Sequence, residues 1–108
     1  MRSNEDRIAD IIQAITDSAG LIALGHQRFI SEPLMIRAAK NILSEIGEAA
    51  KGIDDVALAT MPGVPWRSIK GMRDKVVHDY PELALDVLWE TLVNGLPALR
   101  EAIDQRTT

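Results

Sequence analysis

Apolar residues recur along this chain with helical rather than strand spacing. Ile8, Ile11, Ile12, Ile15, Ala19 and Ile22 share one face of a first segment, which the spacing predicts as a helix from about Asn4 to Leu24. Ser3 or Asn4 can cap it, and Asp6 falls in the first turn, where the helix dipole favours an acid. Gly20 and Gly25 predict a weakening and an end. A second helix is expected from about Ser31 to Lys51, with Ser31 as cap and Pro33 in the first turn. Its stripe is Met35, Ala38, Ile42, Leu43, Ile46 and Ala50. Gly47 interrupts it at mid-helix, where glycine costs about 1 kcal/mol against alanine. That placement predicts close approach of another backbone. Gly52 is a natural stop.

Residues Ile53 to Pro65 carry Asp54, Asp55, Pro62, Gly63 and Pro65, the signals of a loop with one helical turn near Val56 to Ala59. A third helix is expected from about Trp66 to His78, ended by Pro81, which pushes the residue before it out of the α region. A fourth is expected from about Glu82 to Ile103, burying Leu85, Leu88, Trp89, Leu92, Leu96, Leu99 and Ile103. Asn94-Gly95 followed by Pro97 predicts a kink or break there. No strand pattern, repeat or low-complexity tract interrupts this reading. The expected fold is all-α: an up-and-down four-helix bundle in a single domain, 1–108, its last helix kinked or broken near Pro97. The first two helices should form one antiparallel hairpin and the last two another.

Composition narrows the chemistry. The chain has 108 residues and 46% hydrophobic content, enough for one core without staples. It has no cysteine, which excludes disulfides, zinc–thiolate sites and thiol catalysis. No signal peptide and no apolar run near the roughly 20 residues of a membrane span are visible. A cytoplasmic protein with no membrane association is therefore expected. No pair of carboxylates or histidines has metal-ligand spacing, and no glycine-rich phosphate loop is present, so neither metal nor cofactor is expected.

The net charge of −4 argues against a general nucleic-acid binder. Its distribution changes that picture. Between Trp66 and Lys75, Arg67, Lys70, Arg73 and Lys75 stand against Asp74 alone, +3, leaving −7 for the rest of the chain. By itself such a run reads as a solvated helix face. His26 reads as a surface or helix-end histidine, and Trp66 and Trp89 as core or dimer-interface anchors.

The basic segment runs into Arg73-Asp74-Lys75-Val76-Val77-His78-Asp79-Tyr80, the pattern R-x4-H-x-Y. Here the chain resembles the HepT-like branch of the HEPN superfamily, toxins that partner MntA-like minimal nucleotidyltransferases. The resemblance extends to Ile46-Gly47-Glu48-Ala49-Ala50-Lys51, to the lead-in Val64-Pro65-Trp66-Arg67-Ser68-Ile69-Lys70-Gly71-Met72, and to Val87-Leu88-Trp89, covering about Arg7 to Ile103. One departure is Pro81-Glu82-Leu83-Ala84, where the family often has a glycine-containing turn, and this bears on the pose of Tyr80.

The resemblance implies metal-independent cleavage of RNA, and the residue types suit it. RNA carries its own nucleophile, the 2′-hydroxyl. An unperturbed imidazole changes charge near neutrality, the property that suits His78 to moving the proton. Arg73 is always charged and pairs bidentately with phosphate oxygens. Arg67, Lys70 and Lys75 can hold the RNA phosphates. Asp74 stands four residues before His78 and could orient or tune its imidazole. Glu48 resembles the family position that faces the motif and supports Arg73. Tyr80 resembles the tyrosine to which the antitoxin transfers AMP, which places its role in regulation.

On a regular helix Arg73 and Tyr80 share a face, and His78 stands about 140° from Arg73. Two resolutions exist. The helix loosens over Val77 to Asp79, or each site combines residues of two chains across a two-fold axis. The resemblance favours the second: a homodimer with a composite active site. The expected partners are a second copy, a cognate MntA-like nucleotidyltransferase and an RNA substrate, transfer RNA or messenger RNA. The competing reading is a non-catalytic helical binding subunit of a nucleotidyltransferase, with Arg73 and His78 contacting phosphate. A plain structural dimerisation bundle is a third.

Overall fold

This computed structural model describes residues 2–79 and 84–106, without the side chains of 77–79. The expectations for Tyr80, for the Pro81–Leu83 turn and for the side chain of His78 therefore lie outside the described residues.

Helix α1 spans Asn4–Ile22 and starts in a reciprocal capping box. Ser3 Oγ accepts from the amide of Asp6, and the Asp6 carboxylate accepts from the amide of Ser3. Those bonds hold the Asp6 carboxyl below its usual range. The buried face of α1 is Ile8, Ile11, Ala14, Ile15, Ser18 and Leu21, with Ile12 and Ile22 only partly buried. The expected face is thus rotated, and Ala19 is exposed. The helix also runs through Gly20 without a break. Its end comes at the turn before Gly25, whose φ of 99° suits a residue without Cβ.

A short helix, α2 (His26–Ser31), fills the connection between the first two expected helices. It exists to bury one residue, Phe29, which is fully enclosed and packs against Trp89 with ring centroids 5.0 Å apart. His26 meets the edge of the same indole at 5.1 Å. Helix α3 spans Pro33–Lys51, its N-cap being Glu32 rather than Ser31, with proline in the first turn. Met35, Ile42, Leu43, Ile46 and Ala50 are buried as expected. Ala39 is buried in place of Ala38. The single loop turn becomes α4 (Asp55–Leu58), capped by Asp54, whose carboxylate accepts from the amide of Ala57 at 2.9 Å.

The third expected helix is two: α5 (Trp66–Lys70) and α6 (Met72–Asp79), divided at Gly71. The fourth is three pieces: α7 (Leu85–Glu90), a π-helical turn at Thr91–Gly95, and α8 (Leu96–Asp104). The break near Pro97 is therefore real and takes the form of a widened turn. Leu88 and Ile103 are four helical turns apart by burial but fifteen residues apart in sequence. That period of about 3.75 exceeds the α-helical 3.6, and a π turn absorbs the difference.

Helix α3 is the centre of the molecule. It packs along α1 on one side and along α5 and α6 on another, while α8 closes against α1. Among the described residues, α6 packs principally on α3. Phe29, Ile11, Ile46, Met61, Leu88, Leu92, Leu96 and Ile103 are the largest apolar side chains fully enclosed in the core. The described residues are helical, with no strand among them, and no helix is long and apolar enough to cross a membrane.

Candidate active site

The junction of α3 with α5 and α6 positions the motif helix, and Gly47 makes it possible. A Cβ on Gly47 would stand 3.0 Å from the amide nitrogen of Arg73 and 3.1 Å from the carbonyl oxygen of Ile69. Only a residue without a side chain lets the two backbones approach so closely. This close approach is the one that mid-helix glycine predicted, and its counterpart is the start of α6.

The neighbouring residue uses that proximity. Glu48 projects beside Arg73, with Oε1 3.3 Å from the arginine Nε. The same carboxylate oxygen lies 3.5 Å from Lys51 Nζ, one turn along α3. Lys51 in turn lies 3.7 Å from Asp74 Oδ1 on α6. Four charged groups from two helices thus form one chain, Arg73–Glu48–Lys51–Asp74, with side chains between 38% and 58% exposed. At that exposure each pair is worth only about 0–1 kcal/mol. The arrangement orients an arginine at the surface without burying it, so its guanidinium stays available to an incoming anion.

The other expected site residues are placed as follows. Lys75 is exposed on α6, beside a cavity of about 210 Å³ between α6 and α7 that Leu43, Met72 and Val87 also line. Arg67 is exposed on α5 and Lys70 half-buried at its end. Neither Arg67, Lys70 nor Lys75 makes an ion pair among the described residues, whereas Arg73 does. Asp74, expected beside His78, has Lys51 as its ion-pair partner. His78 lies on the last turn of α6, which stays α-helical to Asp79. The α6 backbone therefore shows no loosening over Val77 to Asp79.

Two features escaped the pattern reading. Lys51 is the closing residue of the Gly47–Lys51 segment, and its spacing of three from Glu48 was the available signal. Lys40 is buried on α3, and that burial pulls its ammonium below the usual lysine range. Its signal was a lysine two turns before Gly47, on a helix face that is otherwise apolar.

A family model described as ribonuclease HepT-like matches residues 8–106. The chain belongs to the HepT-like ribonuclease family. A protein of Thermococcus cleftensis named “Probable ribonuclease HepT” is 32% identical over 100 residues, covering 92% of this chain and 91% of that one. A protein of Caldanaerobacter subterraneus subsp. tengcongensis with RNase in its name is 32% identical over 82 residues, 76% of this chain and 73% of the other. One of Methanocaldococcus jannaschii, also with RNase in its name, is 26% identical over 92 residues, 85% and 71%. No solved structure matches at a significant level. The matched span of this HepT-like chain includes both halves of the charged chain, Glu48–Lys51 on α3 and Arg73–Asp74 on α6.

Proposed function

We propose that this chain is the ribonuclease toxin of a toxin–antitoxin pair and cuts RNA without a metal. The observation that carries the reading is the surface arginine Arg73, which shares α6 with His78 and is held at 3.3 Å by Glu48 of α3, in a chain of a ribonuclease family. The 2′-hydroxyl of the substrate attacks the adjacent phosphorus, and its proton passes to the imidazole of His78. Arg73 stabilises the charge that builds on the non-bridging oxygens. The phosphorus–5′-oxygen bond breaks, and the leaving oxygen takes a proton from an imidazolium or water. The products are a 2′,3′-cyclic phosphate and a 5′-hydroxyl. Arg67, Lys70 and Lys75 add phosphate contacts, and Glu48 and Asp74 support Arg73 and His78.

The working unit is a homodimer whose two sites each draw on both chains. A cognate nucleotidyltransferase neutralises it: the Tyr80 hydroxyl attacks the α-phosphorus of ATP, its proton passes to solvent, pyrophosphate leaves, and a tyrosyl adenylate remains. That phosphodiester brings a negative charge beside Arg73 and occupies the place of the RNA phosphate.

The test is incubation of wild-type protein and His78→Ala with total RNA and transfer RNA in EDTA, with the new ends mapped. Cleavage by wild type alone, leaving 2′,3′-cyclic phosphates, is the expected result. No cleavage by wild type verified by mass to lack adenylate would replace this reading with a non-catalytic subunit that binds a nucleotidyltransferase.

A further inference from the structure

We propose that Lys40 is a positioning residue of this site: its buried side chain docks against the C-terminal turn of α6 and fixes the stretch of backbone that carries His78. What that stretch then does rests on the ribonuclease reading; the docking itself does not.

Three observations support it. First, Lys40 lies on the face of α3 that meets the motif helix. It stands seven residues before Gly47, nearly two helical turns, and so within about 20° of it around the axis. Gly47 is the point where α3 meets Ile69, Met72 and the Arg73 backbone. Leu43, between Lys40 and Gly47, lines one cavity with Met72 and Val76. The contacts advance along α6 as they retreat along α3, so the two helices run antiparallel. Seven residues of α3 cover about 10 Å. The same advance along α6 from the Ile69–Arg73 contact leads to the last turn, Val76 to Asp79.

Second, the lysine is enclosed at a cost. It is 8% exposed, on a helix whose other buried residues are apolar. Burial holds its ammonium below the usual lysine range. An apolar side chain of similar length would be enclosed without that cost, so the charge itself has a use there.

Third, α3 supplies no counter-charge: from Ile36 to Ser44, one turn to either side, there is no acid. A favourable counterpart comes from another element, and the end of α6 is one. Its last carbonyls lack intrahelical donors and carry the negative end of the helix dipole. With eight residues α6 is too short to hold its own end rigid, and a cation docked there clamps it. Lys40 is too enclosed to bind RNA itself and acts through the helix it holds.

The experiment is amide hydrogen exchange followed by NMR, alongside steady-state cleavage kinetics and a thermal melt. In wild type the amides of Val76 to Asp79 should be protected rather than frayed. Lys40→Met keeps the length of the side chain and removes its charge. It is expected to melt at or above wild type, while exchange at Val76 to Asp79 rises about tenfold and α1 exchanges as before. In the same variant kcat should fall about tenfold with KM unchanged, since no phosphate contact is lost. Lys40→Gln carries the same expectation for exchange and kcat and serves if the methionine variant does not fold. Arg37→Met removes an exposed charge one turn earlier on α3 and should change none of these quantities. The proposal is overturned if the wild-type amides of Val76 to Asp79 exchange like a frayed end, or if the Lys40 variants leave them at the wild-type rate. It is equally overturned if Arg37→Met speeds them as much, or if their exchange rises while kcat stays unchanged. The expected exchange pattern in a protein that cuts no RNA even as wild type would leave the docking standing and remove the ribonuclease reading alone.

Discussion

Gly47 and Arg73 meet backbone to backbone: a Cβ on the glycine would lie 3.0 Å from the arginine amide nitrogen. Alanine at this position has two opposed effects. It gains about 1 kcal/mol of helix propensity. Against that, the facing atoms belong to backbone at both Ile69 and Arg73 and cannot rotate aside. The α5–α6 segment must shift, and such overpacking costs roughly 1–3 kcal/mol. The expected net effect of Gly47→Ala is a loss of about 1 kcal/mol in thermal or urea unfolding, with RNA cleavage falling further than stability because Arg73 moves. A variant melting at or above wild type would show that the helices have room to separate.

Glu48 separates orientation from stability. Its pairs with Arg73 and Lys51 are about half exposed, so Glu48→Gln should change unfolding free energy by less than about 1 kcal/mol. Cleavage should nonetheless drop by about tenfold, because Arg73 then samples rotamers that do not meet the phosphate. Steady-state kinetics alongside a thermal melt decide the matter. Equal activity would make the Arg73–Glu48 contact incidental.

The helices were legible in the sequence because their apolar stripes run for several turns, as Leu85 to Ile103 shows. Helix α2 was not, since its six residues bury only Phe29 and one buried residue has no period. The division at Gly71 was hidden for a related reason: the amide of Gly71 still bonds to the carbonyl of Arg67 at 3.2 Å, so the helical pattern continues across it. Gly47 announced a close approach but not its partner, because nothing local in Gly-Glu-Ala-Ala-Lys points to residue 73. Arg73 and Glu48 could be joined only through the family resemblance. The Arg7 guanidinium, which lies so close over Gly52 that a Cβ there would overlap it, had no signal at all, being a contact between a side chain and a distant backbone.

The junction of α1 with α4 should be sensitive to acid. The Asp54 carboxylate accepts from Asn4 Nδ2 and from the amide of Ala57, both at 2.9 Å, and the Asn4 side-chain oxygen accepts from the amide of Asp54 at 3.2 Å. The Asn4 bond foremost, with the α4 amides, holds the Asp54 carboxyl below its ordinary value of 3.8. A carboxyl depressed in the folded state binds its proton less readily there than in the unfolded chain. Its contribution is therefore complete above the unfolded value and is lost as the pH falls through the folded one. Asp6 at the start of α1 has the same sign. Melting temperature should fall as the pH drops below about 4. Asp54→Asn should lower it at neutral pH and flatten part of that acid slope. An unchanged slope would assign the acid transition to other carboxylates.

The last prediction concerns how Arg73 and His78 meet. Helix α6 is regular to Asp79, so the two positions stand about 140° apart around its axis. One phosphate cannot readily face both from the same helix, whereas a two-fold axis can bring Arg73 of one protomer to His78 of its partner. This geometry can be tested by mixing two dead variants. Arg73→Ala and His78→Ala should each be inactive alone. After joint refolding, about half the dimers are heterodimers. In each of these, one site combines the intact arginine of one chain with the intact histidine of the other, and the second site lacks both. About a quarter of wild-type activity should return. If each site were built within one chain, every site in the mixture would carry one lesion and no activity would return. Restored cleavage therefore supports the shared site, and its absence in a mixture shown by mass spectrometry to contain heterodimers assigns Arg73 and His78 to one protomer.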